Sequence, residues 1–346
     1  MMTMRRIPWL VGWVACAAAC STANKTGTND AAVADTHLAG GQVGSSGGAQ
    51  TTGGTLGLGN DAGTGGKVGS GGAQGAGGAG SDSATAKDGG VDADPGSCPA
   101  GWKLSWSDEF NGPAGTAADA SKWVYESGNG SGGWGNSELE YYRTGNANGA
   151  LDGNGNLVIA AKQETYGGFQ YTSARMKTQG LSGGSWTYGH IEARIKIPYG
   201  QGIWPAFWML GNDISSNSWP ACGEIDIMEN IGKEPSINHG SLHMPASGTS
   251  SDSQLTGSYT LKNAKLSDDF HTYAIEWSAS SIDFYFDGNL YESQTPASAT
   301  GRTWEFDKPF FILLNVAVGG QWPGSPDGTT VFSQTMTVDY VRVCQK

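Results

Sequence analysis

The chain is short of positive charge. It carries 20 Lys and Arg against 32 Asp and Glu, a net charge of −12. That balance argues against nucleic acid and anionic membrane surfaces as partners. It also disfavours sulfated polysaccharides, although a cleft can carry a charge unlike the net one. Beyond the first twenty residues no apolar run is long enough to cross a membrane. Cys and His do not cluster at the spacing of a zinc site. Glycine is abundant, with 56 residues, but shows no strict three-residue period, which excludes collagen. A long helical period is missing as well.

What is present falls into three segments. Residues 1–20 read as a targeting segment, with a basic start at Arg5 and Arg6 and an apolar run too short for a stable membrane helix. The segment ends Ala17-Ala18-Ala19-Cys20. Small residues before a Cys resemble a bacterial lipoprotein signal, in which Cys20 is lipidated and becomes the mature N-terminus. Ala17 stands where Leu is usual, and a secretory signal cleaved after Ala-x-Ala is the alternative. Either reading makes the protein exported: a cell-surface or outer-membrane lipoprotein, touching the membrane only through Cys20, or otherwise secreted. Residues 21–97 are rich in Gly, Ala, Ser and Thr, with almost no large apolar side chains. Such a segment cannot bury enough surface to offset its conformational entropy and reads as a flexible, disordered linker. Residues 98–346 form the folded domain.

Within that domain, short alternating segments follow one another. Trp102 to Trp106 alternates as a strand, and Asn154-Gly155-Asn156 is a turn leading into a strand at Leu157. Residues 173–178 and 190–197 alternate too, and Asp287-Gly288 marks a tight hairpin. Phe310 to Val318 is almost wholly apolar, as a strand buried on both faces would be. Many short strands with turn signals indicate an all-β fold, a sandwich of two antiparallel sheets or a jelly roll. Tryptophans such as Trp102, Trp106 and Trp277 read as core.

The densest chemistry lies in Trp219-Pro220-Ala221-Cys222-Gly223-Glu224-Ile225-Asp226-Ile227-Met228-Glu229. Alternation on a strand puts Glu224 and Asp226 on one face and Ile225 and Ile227 on the other. Strict alternation would drive Glu229 into the core, at great cost. One extra residue, a β-bulge near Met228, returns Glu229 to the acidic face. Glu224 and Glu229 then lie about 13 Å apart along the strand. Side chains leaning together would approach the roughly 5–5.5 Å of a retaining glycosidase pair. Three close carboxylates cannot all ionise freely, so at least one holds a proton at raised pH. A cation site or a solvated acidic face are the alternatives for this pattern.

The stretch resembles the signature of the bulged, laminarinase-like branch of glycoside hydrolase family 16. Tyr188-Gly189-His190-Ile191-Glu192-Ala193-Arg194, Gly202-Ile203-Trp204-Pro205-Ala206-Phe207-Trp208, Ser107-Asp108-Glu109-Phe110 and Val338-Asp339-Tyr340-Val341-Arg342-Val343 resemble the same family. The resemblance covers roughly residues 100–344. It implies a β-jelly roll and retaining hydrolysis, with Glu224 as nucleophile, Asp226 as its assistant and Glu229 as acid/base. No cofactor is implied for catalysis. The implied substrate is a β-1,3-linked glucan, the implied state a monomer. Another β-linked polymer (mixed-linkage glucan, agarose, carrageenan), transglycosylation, or a non-catalytic glucan-binding module are the rival readings.

Matched by resemblance, Asn136, Arg175 and His243 line the cleft, with Gln321 before Trp322-Pro323 a further candidate. Of the 13 tryptophans, Trp134, Trp204, Trp208, Trp219 and Trp322 lie near Gly, Pro or the acidic strand. Indole faces stack on pyranose rings, so these are candidate sugar contacts, with Trp204 and Trp219 foremost. One structural Ca²⁺ is also implied, on Asp339 and the backbone carbonyls of Glu109 and Gly155. Of the five cysteines, Cys98 and Cys344 bracket the domain, and chain ends often lie close together. An exported compartment permits their disulfide, leaving Cys222 a buried free thiol.

Residues 98–346 produced alone should fold and retain most of the specific activity of the whole chain. Failure to fold, or loss of most of the activity, would contradict the boundary at Cys98.

Overall fold

The computed structural model describes residues 98–346; the targeting segment with Cys20 and the linker, residues 1–97, lie outside the described residues. In chain order the strands are β1 (Lys103–Asp108), β2 (Val124–Tyr125), β3 (Glu140–Tyr142), β4 (Gly149–Leu151), β5 (Leu157–Tyr166), β6 (Phe169–Ser173), β7 (Arg175–Lys177), β8 (Gly189–Lys196) and β9 (Ile203–Gly211). They continue with β10 (Glu224–Glu229), β11 (Ile237–Pro245), β12 (Asp252–Thr260), β13 (His271–Trp277), β14 (Ile282–Phe286), β15 (Asn289–Gln294), β16 (Phe310–Val318) and β17 (Gln334–Gln345). One sheet runs β15-β14-β13-β8-β17-β5-β6-β3, with β1 on β17 and β4 on β5; the other runs β12-β11-β10-β9-β16-β7-β2. Pairing is antiparallel except between β3 and β6. The fold is therefore the expected all-β jelly-roll sandwich.

The main core lies between the sheets, where alternate residues of each strand meet. β16 supplies Phe310, Ile312, Leu314, Val316 and Val318, β9 supplies Ile203, Phe207 and Met209, and β10 supplies Ile225, Ile227 and Met228. The opposite faces of the same strands are also covered. Phe311 and Leu313 of β16 pack with Ala206, Trp208 and Leu210 of β9 in a second apolar cluster, with Trp219 against it. This explains the unbroken apolar run of β16: its inner face fills the sandwich, and its outer face lies under a tryptophan-rich cleft.

Trp277 is in the core, and Trp106 packs partly buried against it. Trp102 is not a core residue: it is half-buried, with its ring 6.1 Å from that of His190 and under the Lys346 ammonium. Trp123 and Trp186 fill the core instead. Trp102 stands just before β1, where an edge position leaves one side of the ring in water.

Strands β1 and β17 pair so that Leu104 lies opposite Cys344. The two ends of the described domain thus meet, and Cys98 and Cys344 are joined with their Cα atoms 5.9 Å apart. Cys222 is free and buried, and burial, followed by the charges of Glu224 and Asp213, pushes its thiol far above the ordinary range.

Peptide mapping without reduction should recover a Cys98–Cys344 peptide, and Cys222 should react with a thiol reagent only in denaturant. Reduction should lower the unfolding free energy by at most about 5 kcal/mol, since the loop closed is nearly the whole domain. A disulfide peptide containing Cys222 would overturn this arrangement.

Candidate active site

Strand β10 is where the sequence pattern and the sheet register meet. Against β9, Asp226 pairs with Trp208 and Met228 with Phe207, so Ile227 is the extra residue. Against β11 the register slips across the same residues, from Asp226–Ser241 to Glu229–His239. The bulge keeps Ile227 and Met228 both in the core and returns Glu229 to the face of Glu224 and Asp226. Gly223 makes the entry to this strand. Its φ is +74°, and a Cβ there would meet Phe310 Cζ at 2.8 Å, so both conformation and space require glycine.

The three acids line one cleft with Trp134, Asn136, Glu138, Arg175, Trp204, Ala206, Trp208, Asn315 and Ala317. All three are nearly sealed from solvent, at 1% for Glu224, 3% for Asp226 and 7% for Glu229. Burial is the first reason their protons are held, and mutual repulsion is the second. Burial and Asp226 push Glu224 well up, with His243 opposing. Asp226 is pushed up by burial and pulled back by His243. Glu229 is raised to about 8 by burial and by Asp226, while His243 and the Trp204 indole favour its ionised form. The cleft thus holds an acid that keeps its proton at neutral pH beside carboxylates that a cation helps to ionise.

That cation is His243. Its Nε2 stands 3.3 Å from Asp226 Oδ2, and its Nδ1 stands 2.9 Å from Asp252 Oδ2. Burial disfavours charge on the ring, but the close carboxylates of Asp226 and Asp252, the latter hydrogen-bonded to Nδ1, outweigh it and hold His243 well above the ordinary histidine range. Glu224, Asp226 and His243 bring ligating atoms within 4.8 Å of one another, a spacing that a metal ion uses. Here both ring nitrogens face carboxylates, which suits a doubly protonated ring with no lone pair for a metal.

Trp204 donates from Nε1 to Glu229 Oε1 at 3.0 Å, and Trp208 donates from Nε1 to Asn315 Oδ1 at 2.8 Å. Trp134, Trp204 and Trp208 are only 5–7% exposed and form the cleft floor, with Trp204 orienting Glu229. The two half-buried indoles lie at opposite ends of β10. Trp219 is 5.9 Å from the His243 ring, beside Glu224, and Trp322 is 5.4 Å from the Trp204 ring, beside Glu229. Their accessible faces are the better platforms for sugar rings.

Arg175 lies on the cleft, but its ion pair is with Glu126, Nε to Oε2 at 2.6 Å, and not with the nucleophile candidate. Its guanidinium lies over the rings of Trp134 and Trp208, at 4.3 and 4.9 Å, and so braces the floor. Asn136 lines the cleft and donates to Glu138 Oε1 at 3.0 Å. Gln321 is exposed and outside the cleft lining; its backbone N–H donates to Asn136 O. Asp339 accepts from Arg194 Nη1 at 2.7 Å, while a Cβ on Gly155 would lie 3.9 Å from Glu109 O. The two carbonyl residues are therefore neighbours, and a cation at Asp339 would compete with a guanidinium.

Sequence reasoning missed several cleft residues. Tyr142 donates to Glu138 Oε2, and Asn315 donates in turn to Tyr142 Oη, tying β3 to β16. Glu140 is buried and pushed well up by burial and by Glu138. The alternation Glu138-Leu139-Glu140-Tyr141-Tyr142 carried this signal. Asn315, alone in an apolar run, carried it too. Asp252 had none, since only the β11–β12 pairing brings it to His243.

Carboxyl ¹³C NMR of labelled protein should find Glu229 titrating at about 8. Trp204→Phe removes a donor that favours the carboxylate, so the midpoint should move higher. A Glu229 midpoint in the ordinary carboxylate range would overturn the picture of a buried, protonated acid.

Comparison with known proteins gives the family. The chain is 43% identical to the beta-glucanase of Rhodothermus marinus over 250 residues, covering 70% of this chain and 85% of that protein. It is 36% identical to a glucan endo-1,3-beta-glucosidase of Cryptopygus antarcticus over 262 residues, covering 70% and 91%. Among solved structures, the catalytic domain of an endo-1,3-beta-glucanase (laminarinase) from Thermotoga petrophila RKU-1 superposes with a TM-score of 0.64 at 44% identity, covering 71% of this chain and 98% of that one. The pattern of glycosyl hydrolases family 16 matches residues 137–342, a span that holds the acidic strand with Trp204 and Trp208 of the floor. With its bulged acid strand and these relatives, the chain belongs to glycosyl hydrolases family 16.

Proposed function

We propose that this glycoside hydrolase cleaves β-1,3-linked glucan internally and with retention of configuration. The observation that carries the reading is the bulge in β10, which sets Glu224, Asp226 and Glu229 on one face of a tryptophan-floored cleft. The endo-1,3-beta-glucanase relatives support the linkage. In the first step a Glu224 oxygen attacks the anomeric carbon, the glycosidic C–O bond breaks, and the Glu229 proton goes to the leaving oxygen. Asp226 and His243 set the charge around Glu224, the one repelling and the other attracting its carboxylate. In the second step Glu229, now a carboxylate, takes a proton from water. The water oxygen bonds to the anomeric carbon, and the Glu224 ester bond breaks. Two inversions leave a β product.

Three further readings belong here. Residues 1–97 mark an exported protein, tethered through a lipidated Cys20 with a spacer between anchor and enzyme. The protein acts as a monomer. A Ca²⁺ on Asp339, Glu109 O and Gly155 O would pin the start and end of the domain, and no chemical step runs through it.

Incubation with laminarin, barley glucan and agarose, with products resolved by size, tests the substrate; release of oligosaccharides from agarose alone would overturn it. Glu224→Gln and Glu229→Gln should each lower activity on laminarin by about 10²–10⁴-fold or more, with the domain still folded. Azide should partly rescue Glu229→Ala on activated substrates and yield a β-glycosyl azide. A tenth of wild-type activity in either Gln variant, or an α product, would refute the roles.

A further inference from the structure

One charged residue beside the cleft takes no part in either step. Asp252 opens β12, opposite Pro245 at the end of β11. Its Oδ2 lies 2.9 Å from His243 Nδ1. On the other side of the ring, Nε2 faces Asp226 Oδ2 at 3.3 Å and Glu224 Oε1 at 3.9 Å. The side chains are sealed, at 5% exposure for His243, 9% for Asp252, 4% for Asp226 and 1% for Glu224. The groups facing the imidazole are therefore Glu224 and Asp226 from β10, with Glu229 further along that strand, Asp252 from β12, and the uncharged ring of Trp219.

We propose that Asp252 is a positioning residue for the hydrolysis: through His243 it fixes a positive charge beside the Glu224 carboxylate. The proposal rests on the assignment of Glu224 as nucleophile. The reasoning concerns where one proton sits. His243 and Glu224 compete for it in a site where water cannot share the charge. With the proton on His243, Glu224 is a carboxylate able to attack. With the proton on Glu224, the ring is neutral and the acid is inert. These two states have the same total charge, so pH does not choose between them; the neighbours do. Asp226 lies near both partners and favours proton-holding by either. Asp252 is hydrogen-bonded to the ring at 2.9 Å and reaches Glu224 only through space, less strongly than Asp226, His243 or Glu229 do, so on balance its negative charge selects the state with imidazolium and carboxylate. Its contact also outlasts the reaction cycle. When Glu224 becomes a neutral ester, Asp252 still balances the ring, so the cation is in place when the carboxylate leaves.

Asp252→Asn isolates this effect, because the amide oxygen still accepts from Nδ1–H and the side chain keeps its size. In Asp252→Asn, kcat/KM on laminarin should fall about tenfold or more across the plateau of the pH profile, as a neighbouring charge is worth roughly one to three pK units. The alkaline limb should also begin at lower pH, since the imidazolium is lost sooner. Asp252→Glu should recover most of the activity. In a His243→Gln background, the Asp252→Asn change should cost less than twofold, because its effect passes through the ring. Ring ¹⁵N NMR gives the same answer without turnover: His243 should remain doubly protonated to higher pH in the wild type than in Asp252→Asn. Equal ring titration in the two proteins, or the same Asp252→Asn loss with and without His243, would overturn the proposal. An unchanged pH profile with a lowered melting temperature would do so as well, by assigning Asp252 a structural role. An active Glu224→Gln enzyme would instead sink the nucleophile assignment, which is a separate failure.

Discussion

The structure depends on one constraint: three carboxylates must share a face of a strand whose other face is core. Burying an unpaired carboxylate is costly. The fold therefore has to supply partners to every acid it seals away. The bulge at Ile227 and Met228 is the backbone solution, keeping apolar residues inward and acids outward over six residues. The side-chain solution is distributed over the neighbours, with Trp204 on Glu229 and His243 against Asp226 and Glu224. Each partner comes from an adjacent strand of the same sheet, so the register of β9, β10 and β11 and the protonation of the site are one problem.

The tryptophans serve this constraint before they serve a ligand. Trp204 and Trp208 stand on the cleft face of β9, where their indole N–H groups satisfy Glu229 and Asn315. The Arg175 guanidinium lies over both Trp134 and Trp208, and its charge is answered by Glu126. A floor built this way is apolar enough to raise the acids and polar enough to orient them. It is also rigid, since each ring is fixed by packing and by a hydrogen bond or a cation. Preorganised dipoles of that kind need little rearrangement when charge develops on a sugar ring.

A second layer of titratable groups surrounds the first. Glu138 on the cleft wall and Glu140 behind it are tied to Tyr142, Asn136 and Val318 N–H. Glu126 bridges Arg175 and Lys177, one oxygen to each. Net charge says nothing of this arrangement. The excess of acid in the composition is partly a buried excess, matched locally by Arg175, Lys177 and His243.

The sequence alone determined the class of the fold and the identity of the acids. Period-two alternation, turn residues and the lack of helical period reflect local backbone geometry, which short windows of sequence encode. The bulge was legible for the same reason: Glu224, Ile225, Asp226, Ile227, Met228 and Glu229 are consecutive, and only one extra residue reconciles their polarity. Cys98 and Cys344 were legible as the two ends of a closed domain. The tertiary structure decided what depends on pairing across distance. Arg175 faces Glu126 and not the nucleophile because β7 lies three strands from β10, beyond β9 and β16. Gln321 sits outside the cleft and Trp102 at an edge because neighbours, not local pattern, set burial. Asp252 reaches the site only because β12 pairs with β11, placing a carboxylate on the far side of His243. Nothing within a few residues of Asp252 marks it, since the field it creates is a property of the assembled sheet.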